Sequence, residues 1–458
     1  ACFKLRAAPV NVNYRAVADE MGAVLDDSGA KVVLHEQDLA AVVTAAAPAL
    51  PALTRGPAWE AALAAAPAAP VRFERSGDDR YVLYTGGTTG RPKGVVWRHE
   101  DLFFAALGGG EPGGGEPGGD PVRDPVRDPV RDPRQVAVLA RQSRSRCLPA
   151  SPFMHGTGHW IALTTLLRGG TVITLRDAHF DAGRLLDVAA AESVTILAVV
   201  GDAFGRPIVE ALEQRAGASD LSSVSVVLSG GAALSPSTMA DLVRLLPWAV
   251  VVDGFGASET GGQGQRVRYP GSTRGGHDRF TMGPDTAVVD DELRPLAPGD
   301  GRVGWLARRA HVPLGYLGDP EATARTFPVV DGVRWAVAGD RASIDADTTI
   351  VVHGRGATTI NTGGEKVHAE EVEVALRAHP DVVDAVVVGV DDRRWGEVVT
   401  AVVSLRPGTT LTVQDAADHC RSRLAGYKLP RRLVVVDEVV RTASGKTDIR
   451  WAKATATA

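Results

Sequence analysis

The run Tyr84-Thr85-Gly86-Gly87-Thr88-Thr89-Gly90-Arg91-Pro92-Lys93-Gly94 concentrates three glycines and three threonines ahead of a lysine. Such a loop can turn backbone N–H groups and hydroxyls toward a polyphosphate, and Lys93 adds a point charge. It is not the phosphate loop G-x-x-x-x-G-K-[ST], because Pro92 stands where the second glycine belongs. Nor is it G-x-G-x-x-G. The apolar lead-in Tyr81-Val82-Leu83-Tyr84 predicts a strand that feeds the loop.

Further along, Asp253-Gly254-Phe255-Gly256-Ala257-Ser258-Glu259-Thr260 gathers a ring that can stack on a base, a hydroxyl, and a carboxylate suited to Mg2+. The alternative for this run is a glycine-rich turn with a solvated glutamate. Ser229-Gly230-Gly231-Ala232-Ala233-Leu234-Ser235 follows a strand pattern, and its paired glycines let backbone approach a flat ring. Gly-Gly pairs are common, so that run is weak by itself. His155 in Pro152-Phe153-Met154-His155-Gly156-Thr157-Gly158 would, alone, be read as a structural histidine. Asp340 in Ala338-Gly339-Asp340 is ordinary turn chemistry when taken alone. Near the end, Gly445-Lys446-Thr447 echoes the end of a phosphate loop, but Val440 occupies the place of its first glycine.

The elements that must position these residues are clearest in the middle of the chain. Residues 171–175, 194–200 and 224–228 are short β-branched or apolar runs, with helical stretches at Ala182–Ala191 and 207–216 between them. Strands alternating with helices predict βαβ units and a largely parallel sheet. After Gly354 a smaller pattern follows: a helix at 369–379, strands at 385–390 and 398–405, a helix at 413–424 and a strand at 433–436. The fold expected is therefore α/β, a large multi-layered N-terminal domain with βαβ sheets followed by a small mobile α+β domain. Boundaries fall at 1–353, a hinge at 354–358, and 359–458. Residues 108–134 hold two Glu-Pro-Gly-Gly and three Pro-Val-Arg-Asp repeats, a low-complexity insert with no hydrophobic face.

Composition narrows the field. A chain of 458 residues with 44% hydrophobic content is long enough for two or more domains with ordinary cores. A net charge of −5 gives no basic footprint for nucleic acid, and no apolar run reaches the length of a membrane span. Cys2, Cys147 and Cys420 are scattered, without C-x-x-C spacing, which points to a reducing cytoplasm rather than a disulfide framework or structural zinc.

Taken in order, the motifs resemble the adenylate-forming superfamily of acyl-CoA synthetases, luciferases and peptide-synthetase adenylation domains. T-G-G-T-T-G-x-P-K-G, P-x-x-H-x-x-G, the Gly230-Gly231 turn, aromatic-G-x-[ST]-E, G-D at Asp340, the Gly354–Val367 run and G-K at Lys446 cover nearly the whole chain. The closest flavour is the bacterial fatty-acyl-CoA synthetase branch, on T-G-G-T-T-G, H-G-T-G-H-W and I-N-T-G-G-E-K. The resemblance implies ATP, Mg2+ and coenzyme A as cofactors, with a carboxylic acid, either a fatty acid or a steroid side-chain acid, joined to coenzyme A through acyl-AMP.

The same resemblance assigns roles. Thr85, Gly86, Gly87, Thr88, Thr89, Gly90 and Lys93 would hold the phosphates; Gly230, Gly231, Ala232, Asp253, Gly254, Phe255, Gly256 and Ser258 the adenine and α-phosphate; Glu259 the metal. Asp340 would meet the ribose, Arg355 the ribose or a phosphate, and His155 would lie where the ATP and acyl pockets join. Lys446 would be the catalytic lysine, and Gly363, Gly364 and Lys366 would flank the thioester path. Departures are Phe255 for Tyr, Ser258 for Thr, Ala338 for Thr, Val440 for Pro, and Ala357 where a polar hinge residue is usual. The segment from Cys2 to Asn11 resembles one that normally follows an opening βα region, so that region is expected to be missing here. Rival readings are an adenylation enzyme with another acceptor and a non-catalytic nucleotide-binding fragment. The sequence leaves oligomeric state open.

Overall fold

The computed structural model describes residues 2–14, 16, 18–67, 69, 72–85, 92–109, 133–175, 180–215, 220–271, 279–283, 285–355, 359–362, 365–392, 396–421, 423–424, 426–442 and 447–458. Contacts divide the chain into two compact units. One gathers 1–174, 256–263 and 308–338; the other gathers 175–255, 264–307 and 339–458.

In the first unit, the apolar lead-in forms strand Arg80–Thr85, and the chain returns as the antiparallel strand Lys93–Arg98. Thr85 and Lys93 are the last paired residues, so they form the two ends of the loop between them. The four consecutive apolar residues are explained by burial on both faces. Tyr81 and Leu83 pack with Val95, Trp97 and Leu102 on one side. Val82 and Tyr84 pack with Val24 and Val96 on the other. Strand Gly315–Tyr316 extends this sheet, with Tyr316 opposite Val95. A second small sheet pairs Val33–His35 in parallel with Ala52–Thr54. Strand Arg146–Pro149 leads toward His155, which precedes helix Gly156–Leu167.

In the second unit, strands Ile196–Val199, Val226–Gly230 and Val250–Ala257 run parallel, joined through helices Gly201–Arg215 and Pro236–Leu245. Ser235 caps the second helix by accepting the Thr238 N–H, as expected of a serine at that position. The sheet then turns antiparallel through Gly261–Arg268, Phe280–Met282, Thr349–Arg355, Asp340–Ile344 and Gly304–Arg308. A separate five-stranded sheet centres on Val382–Asp392 and Gly396–Leu405. Ala385 and Val387 face helices Ala369–Arg377 and Val413–Arg421, while Val386, Val388 and Val390 face helix Ile449–Thr457. Burial on both sides again accounts for an unbroken valine run.

The α/β fold with βαβ units and a compact α+β portion is the one expected, with local corrections. The strand placed at 224–228 lies at Val226–Gly230, which brings Gly230 to its end. The strand placed at 171–175 is only Thr171–Val172. The helix placed at 207–216 begins six residues earlier, at Gly201, and carries Pro207 inside it. Proline favours a first helical turn, but the buried side chains of Asp202 and Phe204 hold a turn and a half ahead of it. The sheet is parallel only in part, because the strands from Gly261–Arg268 onward pair antiparallel without intervening helices of the βαβ kind.

Candidate active site

Two clusters of expected site residues take shape, one in each unit. In the first, Lys93 stands at the return end of the glycine–threonine loop, and its Nζ lies 3.0 Å from Asp319 Oδ2. The same ammonium sits 5.2 Å from the ring centre of Tyr316, within the range of a cation–π contact. The Tyr316 hydroxyl donates to Glu259 Oε1 at 3.0 Å. The backbone N–H of Ala322 and the Lys93 ammonium hold the Asp319 carboxyl below its usual range.

The turn carrying Glu259 is clamped by its neighbours. Thr260 Oγ1 accepts the Ala257 N–H at 3.0 Å and pairs with Gln263 Oε1 at 3.1 Å. The Ser258 carbonyl accepts the Trp97 indole N–H at 3.0 Å, which ties this turn to strand Lys93–Arg98. Gly256 is required by close approach, since a Cβ there would sit 2.1 Å from the Gly261 carbonyl oxygen. Glu259 itself is half-buried, a carboxylate held by one phenol. That hard-oxygen donor at a pinned turn fits a Mg2+ ion that keeps waters and takes the rest of its shell from phosphates. Among the described residues no group of three or more His, Cys, Asp or Glu could hold a metal.

The other side of the loop is fixed by Asn11. Its Oδ1 accepts the Tyr84 N–H at 2.7 Å, and its Nδ2 donates to the carbonyls of Tyr84 and Met154. One amide therefore binds the residue before Thr85 and the residue before His155. Beneath His155, Tyr81 pairs with His159 Nδ1 at 3.1 Å and accepts the Trp160 N–H at 3.2 Å. Burial pushes the Tyr81 phenol up and the His159 imidazole down, so this contact is one between neutral groups.

In the second unit, Gly230 and Gly254 are register partners, as are Ser229 and Asp253. Gly231 and Ala232 follow in the turn toward Ser235. Asp253 Oδ2 accepts Arg266 Nε at 2.9 Å, and Arg266 also donates to the Leu234 carbonyl. Burial pushes the Asp253 carboxyl up to about 6, while Arg266 and Ser229 limit the rise. Asp253 thus braces the Gly230–Ala232 turn from below through Arg266. The Phe255 ring meets Phe280 edge-on, with centres 5.7 Å apart. Asp340 is buried at the start of its strand, and its backbone pairs with that of Arg355. Lys366 pairs through its backbone with Asn361. Gly86, Gly87, Thr88, Thr89, Gly90, Gly363, Gly364 and Lys446 lie outside the described residues, as does Ala357 at the expected hinge.

Buried charge also links segments the sequence did not connect. Asp202 accepts the Ser235 N–H at 2.8 Å and pairs with Arg206 at 3.3 Å. Arg206 donates to the Arg377 carbonyl at 3.0 Å. Arg377 lies 3.5 Å from Glu373 and 3.7 Å from Asp384. Asp384 takes both Nε and Nη2 of Arg441 at 2.6 Å. Burial alone would push Asp384 up, but Arg441 outweighs it and holds the carboxyl below its usual range. Arg441 opens the motif that ends in Lys446. Tyr316, Asp319, Asn11 and the Arg377 group are the positions sequence reasoning missed. Of these Tyr316 carries a local signal, a Gly-Tyr pair a few residues ahead of Pro320-Glu321-Ala322-Thr323.

Residues 1–317 match the AMP-binding enzyme family, and residues 371–446 match its C-terminal domain. This chain belongs to the AMP-binding enzyme family. A medium-chain acyl-CoA ligase, Mig, of Mycobacterium avium is 42% identical over 474 residues, covering 98% of this chain and 82% of that protein. A 3-oxocholest-4-en-26-oate–CoA ligase of Rhodococcus rhodochrous is 38% identical over 477 residues, covering 99% and 83%. Among solved structures, ATP-bound MatB from Rhodopseudomonas palustris has a TM-score of 0.78 at 24% identity, covering 99% of this chain and 85% of that one. This last likeness establishes the fold of the family member described here. Among the described residues no helix is long and apolar enough to cross a membrane.

Proposed function

We propose that this chain is an AMP-forming ligase that joins a carboxylic acid to coenzyme A, using ATP and passing through acyl-AMP. The observation that carries the reading is the line from Lys93 through Tyr316 to Glu259. It sets a cation at the end of a glycine–threonine loop beside a half-buried carboxylate on a pinned turn. The relatives named above act on medium-chain acids and on a steroid side-chain acid. The acid taken here belongs to that range, a medium- or long-chain aliphatic or a steroid side-chain carboxylate.

In the first step a carboxylate oxygen attacks the α-phosphorus of ATP. The bond from that phosphorus to the bridging oxygen breaks, and pyrophosphate leaves. In the second step the sulfur of coenzyme A attacks the acyl carbon. The acyl–oxygen bond breaks, AMP leaves with the oxygen that came from the acid, and the thiol proton is released. The first step brings anions together, so it needs cations and oriented donors more than acid–base groups.

Lys93, with Thr85, Gly86, Gly87, Thr88, Thr89 and Gly90, holds the departing phosphates. Glu259 would hold Mg2+, which would supply positive charge to the phosphates. Gly230, Gly231 and Ala232 present backbone to the adenine, braced by Asp253 through Arg266. Gly254, Phe255, Gly256 and Ser258 complete the nucleotide side, Asp340 meets the ribose, and Arg355 meets the ribose or a phosphate. Lys446 stabilises the charge between α-phosphate and carboxylate, and His155 adjoins the acyl group. Gly363, Gly364 and Lys366 flank the thioester path. Incubation with ATP, Mg2+, coenzyme A and a panel of aliphatic and steroid acids tests the reading. AMP and an acyl-CoA should appear in equal amounts for at least one acid. AMP without thioester would point to a different acceptor, and no acid-dependent AMP would refute the activity.

A further inference from the structure

We infer that Tyr316 is a positioning residue for the phosphate end of this site, orienting the Glu259 carboxylate with its hydroxyl and seating the Lys93 ammonium on its ring. The inference rests on the proposed reading of Glu259 as the metal carboxylate and Lys93 as a phosphate cation.

Tyr316 is held from several directions before it touches either group. Its backbone lies in a strand, opposite Val95, only two residues from Lys93 on the neighbouring strand. Its N–H donates to Thr323 Oγ1 at 2.9 Å, which fixes the strand to helix Pro320–Thr326. Gly315 allows this closeness. It sits at φ +147, and a Cβ there would lie 2.4 Å from the Thr323 methyl. The Tyr316 ring packs against Phe327, centres 5.5 Å apart. A ring so confined offers its hydroxyl in one direction, and that direction is Glu259 Oε1, at 3.0 Å.

The consequence concerns the carboxylate. A phenol that donates to one oxygen fixes the rotation of the Glu259 side chain and leaves the second oxygen to face a cation. Partners of this kind orient a metal-binding carboxylate, and their loss costs about 10–100-fold in metal affinity or activity. The ring has a second task. Lys93 already has an acidic partner in Asp319, 33% and 36% of the two side chains being exposed. A phosphate can displace that exposed pair, whereas the ring remains beneath the ammonium. Tyr316 thus sets the distance between a cation and a metal carboxylate that must grip the same polyphosphate.

Tyr316→Phe removes the hydroxyl and keeps the ring; Tyr316→Leu removes both. The measurements are acid-dependent ATP–pyrophosphate exchange at varied Mg2+ and varied ATP, thioester formation from supplied acyl-AMP, and the urea midpoint. Tyr316→Phe should raise the Mg2+ concentration for half-maximal exchange about tenfold or more. Thioester formation from acyl-AMP and the urea midpoint should stay near wild type. Tyr316→Leu should in addition raise the KM for ATP. Combined with Glu259→Gln, Tyr316→Phe should add little, because its effect passes through that carboxylate. A wild-type Mg2+ response in Tyr316→Phe, with Glu259→Gln impaired, would overturn the inference and leave the metal reading standing. So would effects that multiply in the double variant. An unaltered Mg2+ response in Glu259→Gln would overturn the metal reading itself, and this inference with it.

Discussion

The Lys93–Asp319 pair leaves 33% and 36% of its side chains exposed, whereas Arg377 and Glu373, 3.5 Å apart, each leave 6%. Both are arginine or lysine beside acid, yet water treats them differently. An exposed pair contributes about 0–1 kcal/mol, so a phosphate can take its cation without unfolding anything. A buried pair cannot release its cation, because the orphaned partner would cost several kcal/mol. The Lys93 cluster is therefore free to exchange partners with a ligand. The Arg377 group, with Asp202, Asp384 and Arg441 around it, holds backbone segments in place. Asp202 fixes Ser235, the cap of the helix that follows the Gly230–Ala232 run, and Asp384 fixes Arg441, five residues before Lys446.

The largest effect on stability should come from Arg377→Ala. Removing Arg377 takes the cation from buried Glu373, whereas Asp384 keeps Arg441; the loss is about 3–5 kcal/mol. Equilibrium urea unfolding would measure it. A loss below 1 kcal/mol would erase the distinction between the clusters. Lys93→Met should do the reverse. We expect adenylation, read as kcat/KM for ATP, to fall about a hundredfold, in the range seen when one charge-stabilising donor is removed. Its urea midpoint should stay near wild type, and a large destabilisation would move Lys93 into the structural class.

A third test uses pH. The folded-state carboxyl of Asp253 is raised by burial from 3.8 to about 6. The neutral form is favoured in the fold, so its contribution is complete below 3.8 and is lost as pH rises through about 6. Wild-type stability, relative to Asp253→Asn, should fall across that window. A flat difference would show that Arg266 fully offsets burial. The smallest effect belongs to Asp319→Asn. With its partner exposed, the melting temperature should change by no more than the equivalent of about 1 kcal/mol. The KM for ATP should stay within about threefold, since ligand phosphates replace Asp319. A severalfold rise would show that Asp319 orients Lys93 for the ligand.

The two clusters also differ in how legible they were. Thr85, Lys93 and Glu259 stood out because loop chemistry is local: glycines, hydroxyls and charge fall within a few residues of one another. The strand that ends at Thr85 followed from one apolar run, whereas the returning strand that sets Lys93 opposite it did not. The buried group gave no such signal, because its members are far apart in sequence. Arg441 and Asp384 are 57 residues apart, and Arg206 meets the backbone of Arg377 across 171. Tyr316 and Glu259 are also 57 apart, so nothing local ties the Gly315-Tyr316 pair to the carboxylate. Helix Gly201–Arg215 was read short for a related reason. Pro207 marked a start locally, and only burial of residues such as Asp202 and Phe204 extends the helix ahead of it.

The central claim is that a carboxylate oxygen of the substrate becomes bonded to the α-phosphorus of ATP. Supplying an acid labelled with oxygen-18 in its carboxylate tests this directly. With ATP, Mg2+ and coenzyme A present, mass spectrometry of the AMP released should find one labelled oxygen in its phosphate, with matching loss from the acyl-CoA. AMP that carries no label while acyl-CoA accumulates would contradict an acyl-AMP intermediate and the account built on it.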